Sequence, residues 1–140
     1  MMWDELTEEQ KLLCAPQRRL RLQERRTCDM IEVDHVWSPA TAQEIVEPLL
    51  VSIGRYPDGR IGEVFIDGRE KGKGKVAQRT TALRQDVAVL ISIALQYGAP
   101  IEVLRDAMGR GEVQAMGRVR VMPHTIIGSV LDALAAEAAA

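Results

Sequence analysis

Two clusters of basic residues are the parts of this sequence most able to do chemistry, because both could hold an anion. The first is a glycine- and lysine-rich run that precedes a predicted helix. Backbone amides at a helix N-terminus, together with lysine side chains, can bind an anion. The candidate anion-binding residues are Arg69, Lys71, Gly72, Lys73, Gly74 and Lys75. A solvated strand-to-helix loop is the alternative interpretation of the same run.

The second cluster is an arginine-rich arm that could contact nucleic-acid phosphates. Its candidate residues are Arg18, Arg19, Arg21, Arg25 and Arg26. The whole chain, however, has a formal net charge of −2, and its isoelectric point of about 5.7 is far below the value of about 9 expected of a dedicated nucleic-acid binder. One Phe, two Tyr and two Trp leave few rings on which bases could stack. A solvated arm paired with the acidic N-terminus is therefore the alternative.

Cysteine, histidine and serine do not form a recognisable metal or catalytic motif. The soft metal ligands are Cys14, Cys28, His35 and His124, and no pair has zinc-site spacing. Ser92 and Ser129 lie in no motif that would join a nucleophile to a base. The residues thus predict no metal, no cofactor and no enzyme activity. A small enzyme without a familiar motif is the third and weakest interpretation.

Length and composition are those of one globular domain. The chain has 140 residues, of which 46% are hydrophobic and 27% charged, so it can bury a core without disulfide support. No apolar run approaches the length of about 18 residues needed to cross a membrane. The first ten residues are acidic and lack the apolar region of a signal peptide. We therefore expect a cytoplasmic protein.

The first half of the chain predicts a short helix followed by three strands. Thr7 and Gln10 have the spacing of a capping box, which predicts a helix over residues 5–14. Alternation of apolar residues predicts strands at 27–37, 48–56 and 61–67. Pro57, Asp58 and Gly59 predict a tight turn that joins the last two strands into a hairpin.

A long helix over residues 76–97 is predicted to form the centre of the core. Its apolar stripe consists of Leu83, Val87, Leu90, Ala94 and Tyr97. If that stripe is buried, Leu90→Ala should cost about 2–5 kcal/mol of stability. Its polar stripe is uncharged and easier to desolvate than a charged one, so we expect a partner to bind there. The predicted interface residues are Gln78, Thr81, Gln85, Ser92 and Gln96.

The last third of the chain predicts two more helices separated by a loop. Gly98 and Pro100 end the long helix, and Pro100 also opens a helix over 101–108. Residues 110–120 read as a glycine-containing loop. Pro123 opens a final amphipathic helix whose buried residues are Ile126, Ile127, Val130, Leu131 and Leu134. Residues 135–140 are expected to fray.

These elements predict an α+β fold. A small three-stranded antiparallel sheet is covered by the long buried helix, with short N-terminal, middle and C-terminal helices around it. We divide the chain into an N-terminal helix and arginine-rich arm at 1–26, the domain proper at 27–134 and a frayed tail at 135–140.

Two stretches of the sequence together resemble the TSCPD-domain family. They are the hairpin segment DGRIGEVFI at 58–66 and the run VLISIALQYGAPIEVL at 89–104, and the resemblance extends over about residues 25–134. The cysteine motif that names the family is not present in this chain. The resemblance implies a relative of the C-terminal domain of cobalamin-dependent ribonucleotide reductases. It implies no reductase activity, because the catalytic barrel has no counterpart here.

Residues and resemblance together favour a non-enzymatic accessory or regulatory module. Such a module would act by binding another protein or by forming a homo-oligomer. The alternative is a nucleic-acid or nucleotide binder that uses the segments Arg18–Arg26 and Arg69–Lys75.

Overall fold

A three-stranded antiparallel sheet organises the fold, and its strands lie side by side in chain order. The computed structural model describes residues 2–13, 18–37, 45–68, 74–115 and 117–139. The strands of this sheet are β1 (Cys28–Trp37), β2 (Ile45–Arg55) and β3 (Ile61–Gly68). A separate two-stranded sheet pairs β4 (Arg110–Ala115) with β5 (Arg118–Pro123). The helices are α1 (Glu8–Leu13), α2 (Lys75–Gln96), α3 (Ile101–Asp106) and α4 (Ile126–Ala139), preceded by a 3-10 turn at Trp3–Glu5. The predicted α+β class is confirmed.

The turn between β2 and β3 forms where the sequence predicts it. The Tyr56 amide donates to the Arg60 carbonyl at 2.9 Å, and the Gly59 amide donates to the Tyr56 carbonyl at 2.9 Å. Gly59 has φ 93°, a conformation that a residue with a Cβ atom adopts only with strain. Asp58 also stabilises the turn, because its carboxylate accepts from the Arg60 amide two residues later, at 3.0 Å. Local turn chemistry therefore fixes the register of the hairpin.

Helix ends also follow their local sequence. Thr7 and Gln10 form the predicted capping box, in which the Thr7 amide donates to Gln10 Oε1 at 2.9 Å and the Gln10 amide donates to Thr7 Oγ1 at 3.2 Å. At the end of α2, Gly98 has φ 93° and its amide donates to the Leu95 carbonyl at 3.0 Å. Gly98 thus ends α2 as predicted.

Two helices, rather than one, enclose the core. α4 packs against β1 and α2 packs against β3, and both helices contribute to one core cluster with the inner face of the sheet. Between them, Leu49, Val51 and Ile53 on the inner face of β2 are completely buried. Most of the predicted buried residues of α4 are confirmed, since Ile126, Val130, Leu131 and Leu134 are buried; Ile127 is half-buried.

The predicted orientation of α2 is wrong. Leu83 and Leu90, assigned to the buried stripe, are each 65% exposed, and Tyr97 is 47% exposed. The residues of α2 that enter the core are instead Ala88, Ile91 and Leu95. The reason is the position of the helix, which lies along the edge strand β3 and turns polar side chains towards it. The large cost predicted for Leu90→Ala accordingly does not apply.

Three further predictions in the last third are corrected. Residues 110–120 contain the β4–β5 hairpin rather than a loop, with Gly117 at φ 75° in its turn. Residues 135–139 continue α4 instead of fraying, because Ala135 is buried and Glu137 Oε2 lies 3.6 Å from Arg55 Nη2. α3 ends at Asp106, two residues before its predicted end.

Candidate functional site

The arginine-rich arm is partly built into the fold. Arg19 Nε donates to Gln96 Oε1 at 2.7 Å, and Arg26 donates through Nε and Nη2 to the two carboxylate oxygens of Glu63 at 2.6 and 2.9 Å. Such a bidentate pair fixes the arginine geometrically. The other three candidates, Arg18, Arg21 and Arg25, are exposed. Two of the five predicted phosphate contacts are thus engaged within the chain.

The glycine- and lysine-rich run is described only at its end. Gly74 has φ 111°, with nothing within 4 Å of the position that a Cβ atom would occupy. Lys75 is exposed and begins α2. Arg69, Lys71, Gly72 and Lys73 lie outside the described residues, so anion binding by this run stays a prediction.

The polar stripe of α2 contacts β3 where a partner was predicted to bind. Ser92 and Gln96 are each 8% exposed. The Ser92 hydroxyl accepts from the Val64 amide at 2.9 Å, and Gln96 Nε2 donates to the Gly62 carbonyl at 3.0 Å. An edge strand presents unpaired backbone groups, and these two side chains supply the partners. Ser92 and Gln96 are therefore corrected from interface residues to structural ones.

Of the remaining members of that stripe, one bonds within α2 and two are exposed to solvent. Thr81 is half-buried, and its hydroxyl donates to the Ala77 carbonyl at 2.9 Å and accepts from Arg84 Nη2 at 3.1 Å. Gln78 and Gln85 are exposed. Only these two predicted interface residues are available to a partner.

The exposed side of α2 is apolar instead. We call Leu83, Val89, Leu90 and Tyr97 the outer helix surface; their exposed fractions are 65, 52, 65 and 47%. Leu83, Leu90 and Tyr97 are spaced by seven residues, which places them along one line of the helix. Three of the five residues of the predicted stripe therefore face outwards, whereas Val87 packs against the core as predicted and Ala94 is half-buried.

A buried polar cluster surrounds His35, and the sequence did not predict it. The Nδ1 atom of His35 lies 2.7 Å from Ser129 Oγ, and the His35 ring packs edge-on against Trp37 with centroids 4.1 Å apart. Glu47 accepts from Trp37 Nε1 at 2.8 Å and from Arg84 Nη1 at 2.9 Å. The sequence signal for burial was that His35 follows Val33 by two residues on β1, which places both on the same face of the strand.

This cluster contains a serine next to a histidine, the chemical pair of a nucleophile and its base. His35 is, however, only 1% exposed, and its Nε2 atom and Arg84 Nε have no hydrogen-bond partner among the described residues. A substrate therefore has no access to the imidazole. Burial lowers the pKa of His35 below its ordinary value near 6.5, and the charge of Glu47 offsets part of that effect. The cluster is a structural element whose stability depends on protonation.

We expect the free energy of unfolding to decrease as the pH is lowered, because of His35. Its lowered pKa means that, below about pH 6.5, the unfolded chain takes up a proton that the folded chain resists. The contribution of His35 is thus complete above the unfolded pKa and is lost as pH falls towards the lower folded pKa. Urea unfolding at pH 7.5, 6.5 and 5.5 measures this dependence.

Replacing the imidazole separates the contribution of His35 from that of the other titrating groups. His35→Gln should flatten the fall in unfolding free energy between pH 6.5 and 5.5, because it removes the group whose pKa burial lowers. Equal pH dependence in the wild type and His35→Gln would contradict the assignment.

A groove with a volume of about 610 Å³ lies at the hairpin end of the sheet. Most of its charged side chains already pair within the chain. Arg55 Nε donates to Asp29 Oδ2 at 2.9 Å, and Arg60 Nε donates to Asp58 Oδ2 at 2.7 Å. The groove consequently offers no converging set of unpaired charges to a ligand.

Neither a metal cluster nor a membrane-spanning helix occurs in the described part of the chain. Within it, no group of three or more His, Cys, Asp or Glu side chains could hold a metal ion. No helix there combines the length and the apolar content needed to cross a bilayer.

Comparison with known proteins relates the chain to one domain of a large enzyme. A family model of the TSCPD domain matches residues 32–136. The vitamin B12-dependent ribonucleotide reductase of Rhodopirellula baltica is 32% identical over 83 residues, a match that covers 59% of this chain and 8% of the reductase. The enzyme of the same name from Agrobacterium fabrum is 36% identical over 67 residues, covering 48% and 5% respectively. No solved structure matches the chain.

The matched region includes most of the fold described above. It begins within β1 and runs to α4, so it takes in β2, β3 and α2 with the hydrogen bonds that seal β3. The resemblance seen in the hairpin and in α2 is confirmed, and the chain belongs to the TSCPD-domain family.

Proposed function

We propose that this chain is a cytoplasmic, non-catalytic accessory module that acts by binding another protein through the outer helix surface. The single observation that carries the proposal is the exposure of Leu83, Leu90 and Tyr97 along one line of α2, with Val89 exposed next to Leu90 in the sequence. Contiguous exposed apolar side chains are typical of protein interaction sites. A helix with apolar residues at seven-residue spacing suits an apolar groove or a second helix.

The relatives suggest what the partner is. In the reductases of Rhodopirellula baltica and Agrobacterium fabrum, the matching segment is 8% and 5% of the chain. Such a domain works beside a much larger protein body. We therefore propose a B12-dependent ribonucleotide reductase as the partner of the outer helix surface.

The charged groups of the described chain support a binding role over a catalytic one. Several of its basic side chains form structural ion pairs, among them Arg26 with Glu63 and Arg84 with Glu47. The serine–histidine pair is closed to substrate by the burial of His35. These observations favour a module that positions or regulates a partner.

Leu90→Glu should abolish binding to a reductase while leaving the fold intact. Leu90 is 65% exposed, so a charge there is solvated in the free protein and desolvated in a complex. Biolayer interferometry of the immobilised chain against the purified Rhodopirellula baltica reductase is the measurement. Gln78→Glu places the same charge on exposed α2 outside the surface and should bind normally.

The alternative is phosphate binding by the exposed Arg18, Arg21 and Arg25. It predicts an affinity for single-stranded DNA that falls steeply with salt, because bound phosphates release their counterions. Tight DNA binding at physiological ionic strength, without any reductase binding, would overturn the proposed function.

A further inference from the structure

The two edges of the three-stranded sheet differ. The edge of β3 is sealed by Ser92 and Gln96, whose side chains bond to the backbone of Val64 and Gly62. β1 is the outermost strand on the other side, and no strand of the described chain pairs with its outer edge. An edge of ten residues that no described strand covers is a template for an added strand.

The β4–β5 hairpin presents a strand of matching chemistry. It is a two-stranded sheet on its own, and such ribbons are marginally stable without further pairing. Along β5, exposed Arg118 and Arg120 alternate with Val119 and Val121, which are 57 and 59% exposed. Because side chains alternate across a strand, the two arginines lie on one face and the two valines on the other.

β1 has the complementary alternation. Glu32 and Asp34 lie on the outer face of the sheet, and Ile31 and Val33 lie on the inner face beside the core. We propose that β5 of one copy of this chain adds antiparallel to the outer edge of β1 of a second copy, in a reciprocal, two-fold symmetric dimer.

The register of the proposed pairing follows from charge and polarity on both faces. It places Arg118 opposite Asp34 and Arg120 opposite Glu32 on the outer face. On the inner face it places Val119 opposite Val33, and Val121 opposite Ile31. Opposite charges and β-branched pairs across strands both stabilise a sheet. A slip by one residue would set valines against carboxylates, so this register is selected over its neighbours.

Dimerisation by strand addition goes beyond the proposed function and does not depend on it. It uses the β1 edge and β5, whereas the outer helix surface lies on α2 beside the opposite edge. A chain that binds a reductase yet never self-associates would remove the dimer and leave the proposed function standing. A chain that forms the dimer but does not bind a reductase would remove the proposed function and leave the dimer standing.

Size-exclusion chromatography with multi-angle light scattering tests the dimer on the full chain. The expected mass is twice 15.5 kDa. Arg118→Asp sets like charges opposite Asp34 in both joints and should weaken dimerisation by about tenfold or more. Arg21→Asp removes the same charge at an exposed position on the arm and should leave the mass unchanged.

A charge swap makes the test specific. Asp34→Arg combined with Arg118→Asp restores opposite charges at the same pair and should recover most of the lost affinity, which a general surface effect would not do. Far-ultraviolet circular dichroism confirms that each variant folds. A monomer at every soluble concentration, or a dimer that is indifferent to Arg118→Asp, would overturn the proposal.

Discussion

Leu134→Ala is expected to lower the free energy of unfolding by about 2–5 kcal/mol. Leu134 is completely buried in α4, among the core residues that α4 packs against the sheet. Truncation removes apolar contacts and leaves a cavity that close-packed neighbours fill only in part. Urea unfolding followed by circular dichroism measures the difference.

Leu90→Ala is the matched control for that loss, because it removes the same atoms from a leucine that is 65% exposed. Its cost in the free chain should be below about 1 kcal/mol, as for most exposed positions. Similar costs for the two variants would show that α2 or α4 is turned differently from the structure described above.

Ser92→Ala should cost about 1–3 kcal/mol, although alanine is the better helix former. The Ser92 hydroxyl accepts from the Val64 amide at 2.9 Å and donates to the Ala88 carbonyl at 2.8 Å. Without it, the Val64 amide is left buried and unpaired, which costs the full desolvation of that group. Amide hydrogen exchange at Val64, measured by NMR, should accelerate in parallel.

Thr81→Ala is the control that separates the hydrogen bond of Ser92 to β3 from its hydrogen bond within α2. Thr81 also donates to the carbonyl four residues before it, at 2.9 Å, but no hydrogen bond joins it to β3 in the described chain. Its loss should leave Val64 exchange unchanged. An unaltered unfolding free energy for Ser92→Ala would mean that water replaces the hydroxyl at the edge of β3.

Local chemistry made the hairpin, the capping box and the end of α2 predictable. Each depends on two or three neighbouring residues, such as Gly59 in a turn or Gly98 at a helix end, whose conformation no distant contact overrides. The β4–β5 hairpin carried the same kind of evidence in the alternation of Arg118 and Arg120 with valines. Treating its glycines as marks of a loop concealed it.

The orientation of α2 was not predictable from periodicity. A helical pattern identifies which residues share a side, but it does not say which side meets the protein. Ser92 and Gln96 face inwards because β3 is an edge strand with backbone groups to satisfy, a demand that appears only once the strand order is known. The pairing of His35 with Ser129, 94 residues apart, is equally a product of the assembled fold.

The arm before β1 has a consequence for where this domain can be cut. The Leu20 amide donates to the Gln96 carbonyl at 2.9 Å, Tyr56 donates its hydroxyl to the Leu20 carbonyl, and Leu22 packs over Gly62. The family match begins only at residue 32. A shortened chain that begins at residue 32 would therefore lack the start of β1 and the arm residues that pack against the β2–β3 hairpin. The structural unit of this fold therefore reaches back at least to Arg19, which bonds to Gln96, and is longer than the segment that the family match covers.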